Sequence, residues 1–147
     1  MSENQLGGLQ LEELGSGVIG DLVLEGHGKV KNVREFLEGH IEETFEMHGL
    51  LLGEKFSGEY TIEGRVRPEG TAHVKIQGFI LIENTPMIQV TGVANGITKP
   101  DGHTLLKGAN CYTYASGKFA RLNEMAVMWE AEVDEEGNIS SRGWEWK

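Results

Sequence analysis

The sequence predicts an all-β protein: a single antiparallel up-and-down β-barrel of about eight strands, with one short helical segment. Three observations support this fold class: turn motifs at even spacing, alternation of apolar and polar residues between them, and a glycine near the middle of each long segment. A chain of 147 residues matches one domain of ordinary size. We expect residues 1–12 to form a flexible arm and residues 13–147 to form the barrel.

Four turn motifs recur at a constant interval. They begin at positions 67, 83, 99 and 115, which are 16 residues apart, and they are rich in Pro, Gly, Asn, Asp and Ser. The interval leaves room for strands of roughly 10–12 residues, longer than the usual 5–6, so an antiparallel meander of long strands is expected. With a fifth motif near the C-terminus, the turns are Arg67–Gly70, Glu83–Pro86, Lys99–Gly102, Ala115–Lys118 and Glu135–Asn138.

Three segments next to these turns alternate with period two, which is typical of strands with one buried face. Their polar positions are expected to face water and their apolar positions to face the core. The inward sets are Tyr60, Ile62, Gly64 and Val66; Ala72, Val74, Ile76, Gly78, Ile80 and Ile82; and Met125, Val127, Trp129, Ala131 and Val133.

Glycine is over-represented, with 21 copies, about twice the usual share of roughly 7%. Gly64, Gly78, Gly92 and Gly108 each lie near the middle of a predicted strand. Glycines at such positions favour the sharp bends of a closed barrel, and a β-sandwich with mid-strand glycines is the alternative. We also expect the small residues Gly64, Gly78, Gly92 and Ala94 to leave unfilled volume inside the barrel.

The segment between Asn32 and Gly49 has two interpretations. Apolar residues at helical spacing, with Asn32 and Glu35 as a capping box, predict a helix over residues 33–40. Residues 41–48 fit either a helix or a strand. The strand interpretation rests on the alternation of Ile41, Glu43, Phe45 and Met47.

Charge and cysteine content exclude several classes of protein. Thirteen Lys and Arg against 23 Asp and Glu give a net charge of -10, so we expect no binding to nucleic acid. No apolar run approaches the roughly 18 residues of a membrane span, and the N-terminus lacks the features of a signal peptide, so no membrane association is expected. The single cysteine, Cys111, indicates a reducing, cytoplasmic location, and its strand pattern predicts a buried structural thiol.

Two further patterns are not expected to carry chemistry. On a helix His40 and His48 would share a face with Glu43 or Glu46, but no compact ligand motif is present, so we expect no metal. The string Gly15–Gly20 has the spacing of a phosphate loop. A strand-like run follows it rather than a helix, so the match is interpreted as accidental and no cofactor is expected.

The stretch from Thr104 to Tyr114 predicts the polar part of a binding site. If Asn110, Tyr112 and Tyr114 point inward, they offer an amide and two phenols to an otherwise apolar lumen, a composition typical of small-molecule pockets. The alternative places both tyrosines at the rim with their hydroxyls in water. The full set of candidate ligand-binding residues is Tyr60, Asn110, Tyr112, Tyr114, Arg121, Trp129 and Glu130.

The C-terminal part carries a resemblance to a known fold family. The segment Ser116–Asn123, the alternating strand after it and the ending Trp144–Lys147 resemble small antiparallel barrels of the allene oxide cyclase-like kind, which include bacterial families of uncharacterised function. The resemblance covers about the last two-thirds of the chain. It implies a closed barrel, a lumen able to hold an apolar molecule, and oligomers. No active-site motif matches position by position, so no catalytic residue is carried over.

The predicted function is binding of a small, largely apolar molecule in the lumen, with isomerase or cyclase chemistry there left open. The alternative is a non-enzymatic structural or interaction module whose core is filled by its own side chains. Phe79, Leu81 and Met128 fall on outward faces and predict an apolar patch, from which we expect a homo-oligomer, specifically a dimer.

Overall fold

In the computed structural model, eight long strands form a closed barrel in which every neighbouring pair is antiparallel. The structure describes residues 5–6, 9–10 and 19–147. Consecutive strands pair with each other and the last pairs with the first, so the predicted up-and-down barrel is confirmed and the sandwich alternative is wrong. The barrel strands are β3 (Ile19–Glu35), β4 (His40–Leu51), β5 (Glu54–Val66), β6 (Thr71–Ile82), β7 (Ile88–Thr98), β8 (Thr104–Thr113), β9 (Ala126–Val133) and β10 (Asn138–Trp146).

The N-terminal region is described only in part. Strands β1 (Gln5–Leu6) and β2 (Leu9–Gln10) pair with each other. The remainder of the predicted arm over residues 1–12, and residues 15–18 of the glycine-rich string, lie outside the described residues. No helical segment in the described part of the chain is long and apolar enough to cross a membrane.

Four of the five predicted turns connect strands directly. The turn between β5 and β6 is closed by a hydrogen bond from the Gly70 N–H to the Arg67 carbonyl, at 2.9 Å. The turn between β7 and β8 uses the same bond from Gly102 to Lys99, also at 2.9 Å. Gly70 and Gly102 have φ of 91° and 90°, a conformation that L side chains rarely adopt, so glycine is required at both positions.

The predicted helix over residues 33–40 is wrong. Residues up to Glu35 continue β3, a single 3₁₀ turn covers Leu37–Gly39, and β4 follows at once. Glu35 pairs with Ile41, and the Phe36 N–H donates to the His40 carbonyl, so the segment is a hairpin. The pairing of β3 residues 24–35 with β4 residues 41–51 supplies more hydrogen bonds than one short helix, which explains why the helical spacing does not prevail.

The helical segment lies instead at Gly117–Glu124, where the sequence predicts only a tight turn over Ala115–Lys118. This 3₁₀ helix closes one end of the barrel. Phe119 and Leu122 are 2% and 0% exposed; their spacing of three places them on one side of a helix with three residues per turn. The Asn123 side chain bonds both the N–H and the carbonyl of Ala115, at 3.0 and 2.8 Å, and fixes the segment to the end of β8.

The mid-strand glycines have a packing role that the sequence does not reveal. Gly78 lies opposite Tyr60, Gly92 opposite Asn110 and Gly108 opposite Trp129 on the adjacent strands. A Cβ at Gly78 would lie 2.6 Å from the Tyr60 ring, and one at Gly108 would lie 2.8 Å from the Trp129 ring. Larger side chains from the neighbouring strands therefore cover these three glycines, so the prediction of unfilled volume is wrong at Gly78 and Gly92.

Two predictions about the outer surface are also corrected. Cys111 is exposed, because the inward orientation of its neighbours Asn110 and Tyr112 turns it outward. Phe79 and Leu81 lie on β6 while Met128 lies on β9, and β7 and β8 separate these strands, so the three residues do not form one patch.

Candidate functional site

The barrel lumen contains an apolar cavity of about 70 Å³. The 3₁₀ helix lies at one end of the barrel. The cavity extends toward the other end, where Val30, Glu43 and Val133 line it. Its deeper wall is formed by uncharged side chains, all of which come from barrel strands. These are Leu24, Phe45, Met47, Phe56, Tyr60, Ile62, Val74, Ile76, Leu106, Asn110, Trp129, Ala131, Ile139 and Ser141.

Two side-chain pairs fix the polar and aromatic parts of this wall. The Trp129 indole N–H donates a hydrogen bond to Asn110 Oδ1 at 2.9 Å, across the pairing of β8 with β9. The Phe45 and Tyr60 rings stack with centroids 5.4 Å apart and an angle of 17° between their planes. Both pairs lie between adjacent strands, so the wall is built from rigid elements rather than from loops.

Burial keeps the lumen phenols neutral. It raises the pKa of the Tyr60 hydroxyl far above its ordinary value, with a smaller contribution from the neighbouring Tyr112. Burial also raises the pKa of Tyr112, although a hydrogen bond with Asn110 opposes that shift. Both hydroxyls therefore stay protonated at neutral pH and can act only as neutral donors or acceptors.

The structure brings together three of the seven candidate residues. Tyr60, Asn110 and Trp129 line the cavity. Tyr112 also points inward and is buried, but it is not among the residues that line the cavity. The remaining three lie elsewhere.

Tyr114 follows β8 and is 74% exposed. The alternative prediction, that the hydroxyls of Tyr112 and Tyr114 both lie in water, therefore holds for Tyr114 alone. Arg121 is exposed on the 3₁₀ helix. Glu130 lies on β9, where it forms an ion pair with Arg142 at 3.1 Å. None of these three residues lines the cavity.

The sequence analysis does not identify Glu43, which is the one charged residue lining the cavity within the described part of the chain. It shares a face of β4 with Phe45 and Met47 and lies opposite Ile62 of β5. Burial raises the pKa of its carboxyl above the ordinary value of 4.5. The alternation of residues 41–47 would have identified Glu43 as a lining residue, because the strand interpretation places it on the apolar face with Phe45 and Met47.

The histidines lie apart from this cavity. His103 contacts two carboxylates, at 2.9 Å from Glu132 and 3.7 Å from Glu135, while His40 lies 3.8 Å from Glu63. Over residues 19–147, no group of three or more His, Cys, Asp or Glu side chains is placed to hold a metal ion.

Comparisons with known proteins bear on the fold alone. No protein-family model matches the chain, and no curated protein matches it. A crystal structure of a protein of unknown function from Clostridium acetobutylicum is similar, with a TM-score of 0.69 at 10% sequence identity. The match covers 86% of this chain and 97% of that one. The barrel is therefore an architecture found in another protein, and the resemblance to allene oxide cyclase-like barrels stays a prediction.

Proposed function

We propose that the barrel binds a small, largely apolar molecule in its lumen, at the end opposite the 3₁₀ helix. The observation that carries the proposal is an apolar cavity with a few fixed polar groups, the composition of a small-molecule site. An isomerase or cyclase reaction on the bound molecule is the enzymatic form of this proposal. A cytoplasmic location, which the single cysteine indicates, belongs to it as well.

The volume of the cavity limits the size of the ligand. About 70 Å³ is less than half of the roughly 150 Å³ of an engineered protein cavity that binds benzene. The ligand is therefore a slender chain that lies partly in the open mouth of the cavity, or it displaces a flexible side chain such as Met47.

Binding can be tested with n-hexanol as the probe. We expect saturable quenching or a shift of the tryptophan emission, to which the lining residue Trp129 contributes, together with a rise in thermal stability. A ligand at 100 times its Kd stabilises the folded state by about 2.7 kcal/mol. The variant Ala131→Leu, which adds volume to the cavity wall, should weaken binding, whereas Ala109→Leu on the outer face of β8 should not. Absence of saturable binding to the wild type would refute the proposal.

One observation favours the alternative function, a non-enzymatic interaction module with a filled core. Tyr60, Asn110 and Trp129 cover the mid-strand glycines and reduce the lumen to its present size. If the wild type binds no probe and Ala131→Leu raises its stability, the interior acts as a core and the module is the better description.

A further inference from the structure

Glu43 is an unusual residue for an apolar lumen. Its neighbours on the inward face of β4 are Phe45 and Met47, and the residue opposite it on β5, Ile62, is buried. An ionised carboxylate in such surroundings loses hydration without gaining a partner, which costs free energy. A residue of this kind is retained more easily where an occupant of the site compensates its charge.

Two cationic side chains of β3, the strand next to β4, interact with other carboxylates. Arg34 of β3 lies 3.4 Å from Glu42, and Lys31 contacts Glu46 at 3.1 Å and Glu59 at 3.4 Å. Over residues 19–147, no side chain forms a hydrogen bond or an ion pair with Glu43. The carboxylate is therefore available to a ligand that enters the lumen.

Glu43 and the other residues that line the cavity restrict which head group a ligand can have. An anionic head group would be repelled by Glu43, and a metal ion would find no second carboxylate or imidazole among the lining residues. A neutral alcohol can donate one hydrogen bond. A primary ammonium group donates up to three and also neutralises the charge, which makes it the best complement.

We infer that the ligand of the lumen is a slender aliphatic amine, whose ammonium group binds the Glu43 carboxylate at the mouth while its alkyl chain occupies the apolar cavity. This inference rests on the proposed function, since it names the chemical class of the molecule bound at the same site. The volume of the cavity limits the length of the ligand's alkyl chain, and the carboxylate of Glu43 favours a positively charged head group.

The test compares three probes of equal chain length, n-hexylamine, n-hexanol and hexanoate, by calorimetric titration at neutral pH. The wild type should bind the amine about tenfold more tightly than the alcohol, a difference of about 1.4 kcal/mol, and the carboxylate least. Glu43→Gln should abolish the preference, so that this variant binds the amine and the alcohol about equally. Glu42→Gln removes the same charge one residue away, where Glu42 pairs with Arg34, and should keep the preference.

The outcomes separate the two proposals. If the alcohol binds as tightly as the amine, or if the preference survives in Glu43→Gln, the inference is overturned while the lumen remains a binding site. If Glu42→Gln loses the preference to the same extent, the amine responds to the net charge of -10 rather than to Glu43, and the inference is again overturned. If none of the probes binds, the proposed function itself fails.

Discussion

Single residues decide how much space the barrel encloses. The clearest case is Gly92, because a Cβ at this position would collide with the Asn110 amide that accepts the Trp129 hydrogen bond. We expect Gly92→Ala to destabilise the protein by about 1–3 kcal/mol, the usual cost of overpacking a core. Urea unfolding followed by tryptophan emission measures this change. Thr91→Ala, on the outer face next to it, should stay within about 0.5 kcal/mol, and equal effects of the two variants would contradict the packing role.

Glu43 should also leave a signature in the pH dependence of stability. Burial raises its pKa in the folded state above the unfolded value, so the proton binds the folded state more tightly. The stability that Glu43 contributes is then fully present below its unfolded pKa, near 4.5, and is lost as pH rises through the folded pKa. Tyr60 is the other ionisable group lining the cavity, and it stays neutral over this range.

We therefore expect Glu43→Gln to be more stable than the wild type at pH 7, and this difference to disappear near pH 4. Urea unfolding at the two pH values measures it. Glu42→Gln is the control, because it removes an exposed ion pair and should give no gain at pH 7. A wild type as stable as Glu43→Gln at pH 7 would show that the carboxylate is well solvated.

At the scale of elements, the 3₁₀ helix at Gly117–Glu124 covers one end of the barrel with its buried residues Phe119 and Leu122. We expect Leu122→Ala to cost about 2–5 kcal/mol, because Leu122 is fully buried at the closed end of the barrel. Arg121→Ala, which changes an exposed residue of the same helix, should cost less than about 0.5 kcal/mol. Thermal or urea unfolding of the two variants distinguishes them, and a tolerated Leu122→Ala would mean that the helix is not part of the core.

The elements also show how far the sequence predicts the fold. The turns at Arg67–Gly70 and Lys99–Gly102 are predictable, because Pro and Gly act locally and the adjoining strands alternate over most of their length. The helix over residues 33–40 is wrongly predicted, because pairing between β3 and β4 is a non-local interaction that a helical spacing of apolar residues does not report. The helix at Gly117–Glu124 is missed as an element, because its two buried residues lie only one 3₁₀ turn apart.

The candidate site is predictable to a similar extent. Tyr60, Asn110 and Trp129 follow from the alternation of their own strands. Glu43 is not predicted as a lining residue, because the sequence leaves residues 41–48 as either helix or strand and the structure shows them to be part of β4. The volume of the lumen depends on which side chain covers which glycine, such as Tyr60 over Gly78, and that requires the register between strands.

At the scale of the whole molecule, the homo-oligomer stays a prediction. The residues that suggested it lie on separate faces, with Leu81 exposed on β6 and Met128 half-buried on β9. If the β6 face mediates association, Phe79→Glu should weaken a dimer that sedimentation detects at tens of micromolar protein. A strict monomer under these conditions would contradict the prediction.

The central claim is that the lumen is a ligand site, and a backbone-amide NMR titration with n-hexanol tests it most directly. The account predicts saturable shifts at Phe45, Tyr60 and Trp129, which line the cavity, and none at Thr91 or Cys111, which are exposed on the outer face. Shifts that never saturate, or that affect the outer face as strongly as the lumen, would contradict the claim.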